Sequence, residues 1–154
     1  MKILIELPTW LGDTVMATPA IENLIQSHSG AEVILVGSEV SIEVLKNHPN
    51  ITKTYVFDKK YSSIFFLSRE LGKFDKFFTF RNSFRSNLLK LFINSKQKFI
   101  YKKNNFKEFH QVEKYTKFIN KQKPGTPKQD VLTIEEFKKK ADEYINNKKQ
   151  PASP

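Results

Sequence analysis

The chain has 154 residues, of which 39% are hydrophobic and 14 are phenylalanine, so it can bury the core of one domain. It contains no cysteine, which excludes disulfide scaffolds and thiolate metal sites and indicates a reducing compartment. Its net charge of +10 favours a polyanionic partner: nucleic acid, an anionic membrane surface or a phosphorylated substrate. A lysine-rich surface without such a partner would give the same charge.

The ends of the chain and its apolar runs bear on where the protein works. The first apolar run, Ile3–Ile5, is too short for a signal peptide and no cleavage site of small residues follows it. No stretch approaches the length of a transmembrane helix. We therefore expect a cytoplasmic protein.

Apolar runs alternate with amphipathic segments along the first 120 residues. Strands are predicted at residues 2–7, 32–36, 53–57, 75–80 and 98–101, and helices at residues 13–27, 38–46, 62–72, 85–94 and 108–120. Pro19 lies inside the first helix and is expected to kink it. Regular alternation of strands and helices is typical of βαβ units, so we predict an α/β fold with a Rossmann-like parallel sheet flanked by helices.

The composition changes after residue 120. Residues 121–132 are rich in Pro, Gly and Lys and predict a linker. A capping box at Thr133–Glu136 opens a helix predicted at 133–147, and residues 148–154 are expected to be disordered. The sequence thus predicts one domain, residues 1–120, followed by a linker, a single helix and a tail.

The turn between the first strand and the first helix contains Leu11-Gly12-Asp13. Gly12 is expected to let the backbone turn tightly and approach a ligand closely. Neither a dinucleotide-binding Gly-x-Gly-x-x-Gly pattern nor a phosphate loop is present. Asp13 falls in the first turn of the helix, where it could stabilise the helix N-terminus or accept a hydroxyl proton from a substrate. The residues alone leave both roles open.

Three segments resemble a known family. Leu7–Ala20, with the sequence LPTWLGDTVMATPA, resembles the N-terminal signature of the ADP-heptose:lipopolysaccharide heptosyltransferases, and within glycosyltransferase family nine it is most similar to the heptosyltransferase II branch. Phe80–Ser86 resembles the basic and serine-rich segment of that family, and His110–Tyr115 resembles its His-x-Val-Glu-x-Tyr helix start. The resemblance covers residues 1 to about 120.

The resemblance implies a GT-B enzyme, in which two Rossmann-like halves face each other across a cleft. The N-terminal half holds the lipopolysaccharide acceptor, and Asp13 matches the general base of an inverting transfer that uses neither a metal nor another cofactor. ADP-heptose would bind in a C-terminal half that the chain lacks, so the isolated chain is expected to be inactive. A truncated reading frame, a cloned domain and a stand-alone acceptor-binding module remain alternatives.

The same resemblance implies an acceptor site. Arg81 and Arg85 could hold the phosphates and Kdo carboxylates of the inner core, and Ser83 and Ser86 could add neutral hydrogen bonds. Alternatively, Ser83 caps a helix and the arginines are solvated. His110 could orient the acceptor or have a structural role only. The predicted acceptor-binding residues are Thr9, Trp10, Gly12, Arg81, Ser83, Arg85, Ser86 and His110.

Residues 96–109 interleave lysines with aromatic residues, a pattern found on nucleic-acid-binding surfaces. No recognised RNA- or DNA-binding motif accompanies it, so we expect no nucleic-acid partner. The expected partner is the inner-core acceptor, Kdo or heptose on lipid A, with peripheral contact at the inner face of the cytoplasmic membrane. The competing hypothesis is a non-catalytic basic α/β module that binds anionic lipid or nucleic acid.

Overall fold

A computed structural model describes residues 1–57, 62–102 and 108–121 of the chain. Within these ranges five strands form one parallel sheet in the order β3-β2-β1-β4-β5. The strands are β1 (Lys2–Glu6), β2 (Glu32–Gly37), β3 (Ile51–Val56), β4 (Lys73–Thr79) and β5 (Asn94–Ile100). The helices are α1 (Leu11–Gln26), α2 (Glu39–Leu45), α3 (Ser62–Leu71), α4 (Phe84–Phe92) and α5 (Gln111–Asn120).

Helices cover both faces of the sheet, so its central strands are apolar on both sides. On one face Ile3 and Ile5 of β1 belong to a core cluster with residues of α1, α2 and α5. On the other face Leu4 belongs to a second cluster, with residues of α3 and α4. Because side chains alternate along a strand, Glu6 points to the same face as Leu4, under α4.

The strand order reverses direction beside β1. The strands β2 and β3 lie on one side of β1, whereas β4 and β5 lie on the other. Ligands of open α/β sheets bind outside the carboxyl ends of the strands at such a reversal, because the loops there diverge and leave a crevice. In this fold the strand order places the expected crevice between the loop after β1 and the loop after β4.

The predicted fold class is confirmed, and the differences lie at the ends of elements. The strand β5 begins at Asn94 rather than Lys98, because its polar first half pairs with β4 at the edge of the sheet, where an apolar pattern is not required. The helix α1 begins at Leu11, two residues before the predicted start, and continues through Pro19. The helix α5 begins at Gln111 instead of Glu108. The predicted domain boundary at 120, linker, C-terminal helix and tail involve residues beyond 121, outside the described ranges.

Candidate functional site

The nine predicted site residues all follow the carboxyl ends of three neighbouring strands. Thr9, Trp10, Gly12 and Asp13 follow β1; Arg81, Ser83, Arg85 and Ser86 follow β4; and His110 precedes α5, after β5. The fold therefore brings the three segments to one edge of the sheet, at the crevice beside β1. Thr9, Trp10, Gly12 and His110 are exposed at this edge, and Asp13 is half-buried.

The loop after β1 is held by side chains from the start of α2. The hydroxyl of Ser41 donates to the carbonyl of Pro8, and the hydroxyl of Ser38 donates to the carbonyl of Thr9 at 2.9 Å. Gly37 makes this contact close: a Cβ atom there would lie 3.2 Å from the Cβ of Leu7. The role of Ser38 and Ser41 in holding this loop could not be predicted from the sequence, because serines at the N-terminus of a helix are expected to cap that helix.

Gly12 does not make the tight turn predicted for it. Trp10 is extended, with φ −95° and ψ 143°, and the helix begins at the next residue, so Gly12 lies in the first helical turn without a positive φ. A Cβ atom on Gly12 would meet nothing within 4 Å. The prediction of a turn was wrong because the loop before the helix changes the chain direction, but the open space beside Gly12 does allow the close approach of a ligand.

Asp13 is the third residue of α1 and lies within electrostatic reach of two buried phenols. Burial raises the pKa of Tyr115 to about 12, and the charge of Asp13 contributes to the rise while a hydrogen bond from Gln111 opposes it. The pKa of Tyr101 is raised by burial and by Asp13 in the same way. The amide of Gln111 donates to the hydroxyl of Tyr101 at 3.3 Å. The charge of Asp13 is therefore felt by two phenols, one just after β5 and one on α5.

Glu6, the last residue of β1, has a completely buried side chain that faces the end of β4 and the start of α4. Its Oε2 accepts a hydrogen bond of 2.6 Å from the hydroxyl of Thr79, and its Oε1 accepts one of 2.9 Å from Ser86. The Nη1 of Arg81 lies 3.7 Å from Oε1. Burial raises the pKa of Glu6, whereas these hydrogen bonds and the charges of Arg81 and Arg85 oppose the rise. The sequence signal for Glu6 was a charge that interrupts the first apolar run.

Of the predicted residues after β4, Ser86 is buried, whereas Arg81, Ser83 and Arg85 are partly buried. Ser83 is the N-cap of α4, since its Oγ accepts from the backbone N–H of Ser86 at 3.2 Å. The Ser86 side chain is buried and directed to Glu6, whereas Arg85 lies over the ring of Phe57, with its guanidinium carbon 4.7 Å from the ring centroid. Direct contact of these residues with an acceptor stays a prediction.

The first part of the lysine and aromatic pattern, residues 96–100, lies on β5, and its side chains point to different sides of that strand. Phe99 stacks on Phe78 and packs against the core. The amine of Lys96 pairs with Asp75 at 2.7 Å, and the amine of Lys98 donates to the carbonyl of Lys90. Within β5 this is the alternation expected of an edge strand, and the absence of a nucleic-acid partner stays a prediction.

Neither a membrane-spanning helix nor a cluster of metal-ligating side chains occurs in the part of the chain that the structure describes. No helix in that part is long and apolar enough to cross a membrane. The same residues contain no group of three or more His, Cys, Asp or Glu side chains that could hold a metal ion.

Comparison with curated proteins finds lipooligosaccharide heptosyltransferase 2 of Campylobacter jejuni subsp. jejuni. The protein of serotype O:2 is 45% identical over 121 residues, and that of serotype O:6 is 42% identical over the same length. In each case the match covers 77% of this chain and 38% of the relative. The chain thus spans about two fifths of the length of these relatives. No family model matches the chain.

Solved structures with the same fold have low sequence identity. The glycosyl transferase family 9 protein of Veillonella parvula superposes with a TM-score of 0.70 at 20% identity, covering 99% of this chain and 50% of that one. Escherichia coli heptosyltransferase WaaC with ADP gives 0.69 at 16% identity, covering 85% and 50%. The E. coli ADP-heptose lps heptosyltransferase II gives 0.60 at 15%, covering 99% and 52%. The solved structures share the fold, and the curated relatives confirm the predicted resemblance over the matched residues: the chain is similar to part of the lipooligosaccharide heptosyltransferase 2 proteins.

Proposed function

We propose that this chain is the acceptor-binding half of an inverting heptosyltransferase, which transfers heptose from ADP-heptose to the inner core of lipopolysaccharide or lipooligosaccharide. The observation that carries the proposal is the position of Asp13, in the first turn of α1 at the crevice beside β1, in a chain homologous to such enzymes. ADP-heptose would bind to the part of the relatives that this chain does not match.

Asp13 would act as the general base. The amides of the first turn of α1 favour a negative charge at its side chain, and the neighbouring phenols are neutral at physiological pH. As the acceptor oxygen bonds to the anomeric carbon of heptose, its proton passes to the Asp13 carboxylate and ADP leaves from the opposite face. The negative charge of Asp13 also stabilises the positive charge that develops on the heptose ring.

Arg81 would bind the anionic part of the acceptor. It follows β4 at the edge of the expected crevice, its side chain is 18% exposed, and its Nη1 lies 3.7 Å from Oε1 of Glu6. A guanidinium binds a carboxylate or phosphate through two parallel hydrogen bonds, and the inner core offers both groups. Arg85, Ser83 and Ser86 lie on the first turn of α4 behind Arg81, so they would support this contact.

Exposed apolar side chains at the same edge support contact with the membrane that holds the acceptor. Trp10 is 74% exposed, Phe84 is 70% exposed and Leu11 is half exposed. Trp10 and Leu11 lie at the start of α1 and Phe84 lies at the start of α4, on either side of the expected crevice. We propose that this rim contacts lipid at the inner face of the cytoplasmic membrane while the crevice binds the sugar headgroup.

The test is a chimera in which residues 1–121 of this chain replace the matched segment of the Campylobacter jejuni serotype O:2 relative. We expect the chimera to transfer heptose from ADP-heptose to an inner-core acceptor, and Asp13→Ala to lower kcat by about 10²-fold or more. The matched control is Asp75→Asn, which removes an acid at the opposite edge of the sheet. An active chimera that keeps its kcat in Asp13→Ala would refute the assignment of the base, and the 154-residue chain alone is expected to show no turnover.

A further inference from the structure

Glu6 is a buried charge that the fold itself does not require. Every other residue of β1 after Lys2 is apolar and fully buried, and an apolar side chain at position 6 would continue that pattern. Taking a carboxylate out of water is costly unless hydrogen bonds and opposite charges offset the loss. Within the described residues, the hydrogen bonds and the ion pair of the Glu6 side chain come from Thr79, Arg81 and Ser86, between the end of β4 and the start of α4.

We propose that Glu6 is a positioning residue, whose carboxylate fixes Arg81 and the first turn of α4 at the crevice. The inference rests on the proposed function in one respect: the reason to hold Arg81 in place is that it binds an anionic acceptor. Its geometry is independent of that function and can be tested without a ligand.

The hydrogen bonds form two chains that end on Glu6. The backbone N–H of Arg81 donates to the Thr79 hydroxyl at 3.1 Å, and that hydroxyl donates to Oε2 of Glu6 at 2.6 Å. Ser86 gives its hydroxyl hydrogen to Oε1 of Glu6, so within the 2.9 Å contact between the two serine hydroxyls Ser83 must be the donor. One carboxylate therefore orients the backbone at Arg81 and the cap of α4 together.

The same geometry makes Glu6→Gln a clean substitution. The hydroxyl of Thr79 also lies 3.1 Å from the carbonyl of Arg81 and can donate there instead. It can then accept from the amide of Gln, while the Gln oxygen accepts from Ser86. The hydrogen bonds to Thr79 and Ser86 are thus kept, and what disappears is the negative charge that faces Arg81 and Arg85, the charged groups that act on Glu6.

The experiment measures the order of the Arg81 side chain in the ligand-free 154-residue chain, from the NMR relaxation of its Nε–H group. We expect an ordered guanidinium in the parent chain and a disordered one in Glu6→Gln, with backbone amide shifts away from the crevice unchanged. As pH falls the parent should lose this order with the protonation of Glu6, whereas the variant should show no such change. Equal order in both proteins, or the same pH profile, would overturn the proposal.

A second readout uses a deacylated, phosphorylated Kdo oligosaccharide as the probe, titrated by calorimetry. Positioning predicts that Glu6→Gln weakens its binding by about fivefold or more. If Glu6 only competed with the probe for Arg81, the Glu6→Gln variant would bind the probe more tightly. Tighter binding or unchanged binding would each contradict the proposal. If the parent chain does not bind the probe, the proposed function fails, while the order of Arg81 still decides the role of Glu6.

Two more variants complete the design. Thr79→Val keeps the shape of a buried side chain and removes the link between Glu6 and the backbone at Arg81. It should reduce the order of Arg81 as well, and it decides the question if Glu6→Gln does not fold. Asp75→Asn removes an acid paired with Lys96 far from the crevice and should change neither readout.

Discussion

The substitution Ser86→Ala tests the energetics of the Glu6 network. Ser86 is buried, and its hydroxyl donates to Oε1 of Glu6 at 2.9 Å. A hydrogen bond to a charged group contributes about 1.5–3 kcal/mol to stability, and one between neutral groups about 0.5–1.5 kcal/mol. We therefore expect Ser86→Ala to lower the free energy of unfolding by about 2 kcal/mol where Glu6 is ionised, and by about 1 kcal/mol where it is protonated.

The sign of the pH dependence follows from the raised pKa of Glu6. Between the ordinary value of 4.5 and the raised value in the folded state, the folded protein holds more protons than the unfolded one, so the contribution of Glu6 to stability falls as pH rises through this window. The hydrogen bond from Ser86 lowers the pKa of Glu6, so that in Ser86→Ala this pKa is higher still. In the variant, stability therefore continues to fall up to a higher pH than in the parent. The difference in the free energy of unfolding between parent and variant should therefore grow with pH and then level off.

The measurement is urea unfolding followed by far-ultraviolet circular dichroism, with parent and variant compared at about pH 4 and about pH 9. The thermal midpoint should fall by about 4–8 °C at the higher pH, since a protein of this size loses about 2–4 °C per kcal/mol. Ser95→Ala is the matched control, because its hydroxyl bonds an exposed carbonyl of Gln97, and it should cost less than about 0.5 kcal/mol. A loss in Ser86→Ala that is the same at both pH values would refute the reasoning.

Other substitutions test the start of α1 and the end of β2. Asp13→Asn should lower the pKa of Tyr115 from about 12, since the charge of Asp13 contributes to its rise; the Cζ chemical shift of Tyr115 follows the titration, and an unchanged pKa would place Asp13 away from the phenols. Gly37→Ala should cost about 1–3 kcal/mol, because its Cβ would crowd the side chain of Leu7. Gly12→Ala should instead stabilise α1 by up to about 1 kcal/mol, since nothing opposes its Cβ. The thermal midpoints of the two variants measure these effects, and equal shifts in Gly37→Ala and Gly12→Ala would contradict both predictions.

The fold could be predicted because its signal is local. The runs that became β1 and β2 are apolar for several residues in a row, as strands buried on both faces must be, and β4 carries three phenylalanines. The start of β5 was missed because the edge of a sheet is partly solvated, so Ser95, Lys96 and Gln97 show no such pattern. Helix starts were displaced by two or three residues at α1 and α5, since neither Trp10 nor His110 caps its helix through a side chain.

The candidate site was predictable only in part, for a different reason. Asp13 and Arg81 belong to segments that resemble a family signature, so they could be named from the sequence. Glu6 could not be assigned a role, because its partners Thr79 and Ser86 lie more than 70 residues away and come into contact only through the pairing of β1 with β4. Tyr115 appeared only as part of the resembling segment, and its proximity to Asp13 depends on the packing of α5 beside α1.

The position of β1 explains how a base and an anion-binding group come to share one crevice. Asp13 lies on α1, on one face of the sheet, whereas Arg81 precedes α4, on the other face. The end of β1 is connected to both: its chain continues into the loop of Asp13, and its last side chain, Glu6, turns to the opposite face and binds Ser86. Since side chains alternate along a strand, a slip of one residue in β1 would turn Glu6 away from α4 and place an apolar side chain against Ser86. The register of this one strand therefore sets the relative placement of the two halves of the candidate site.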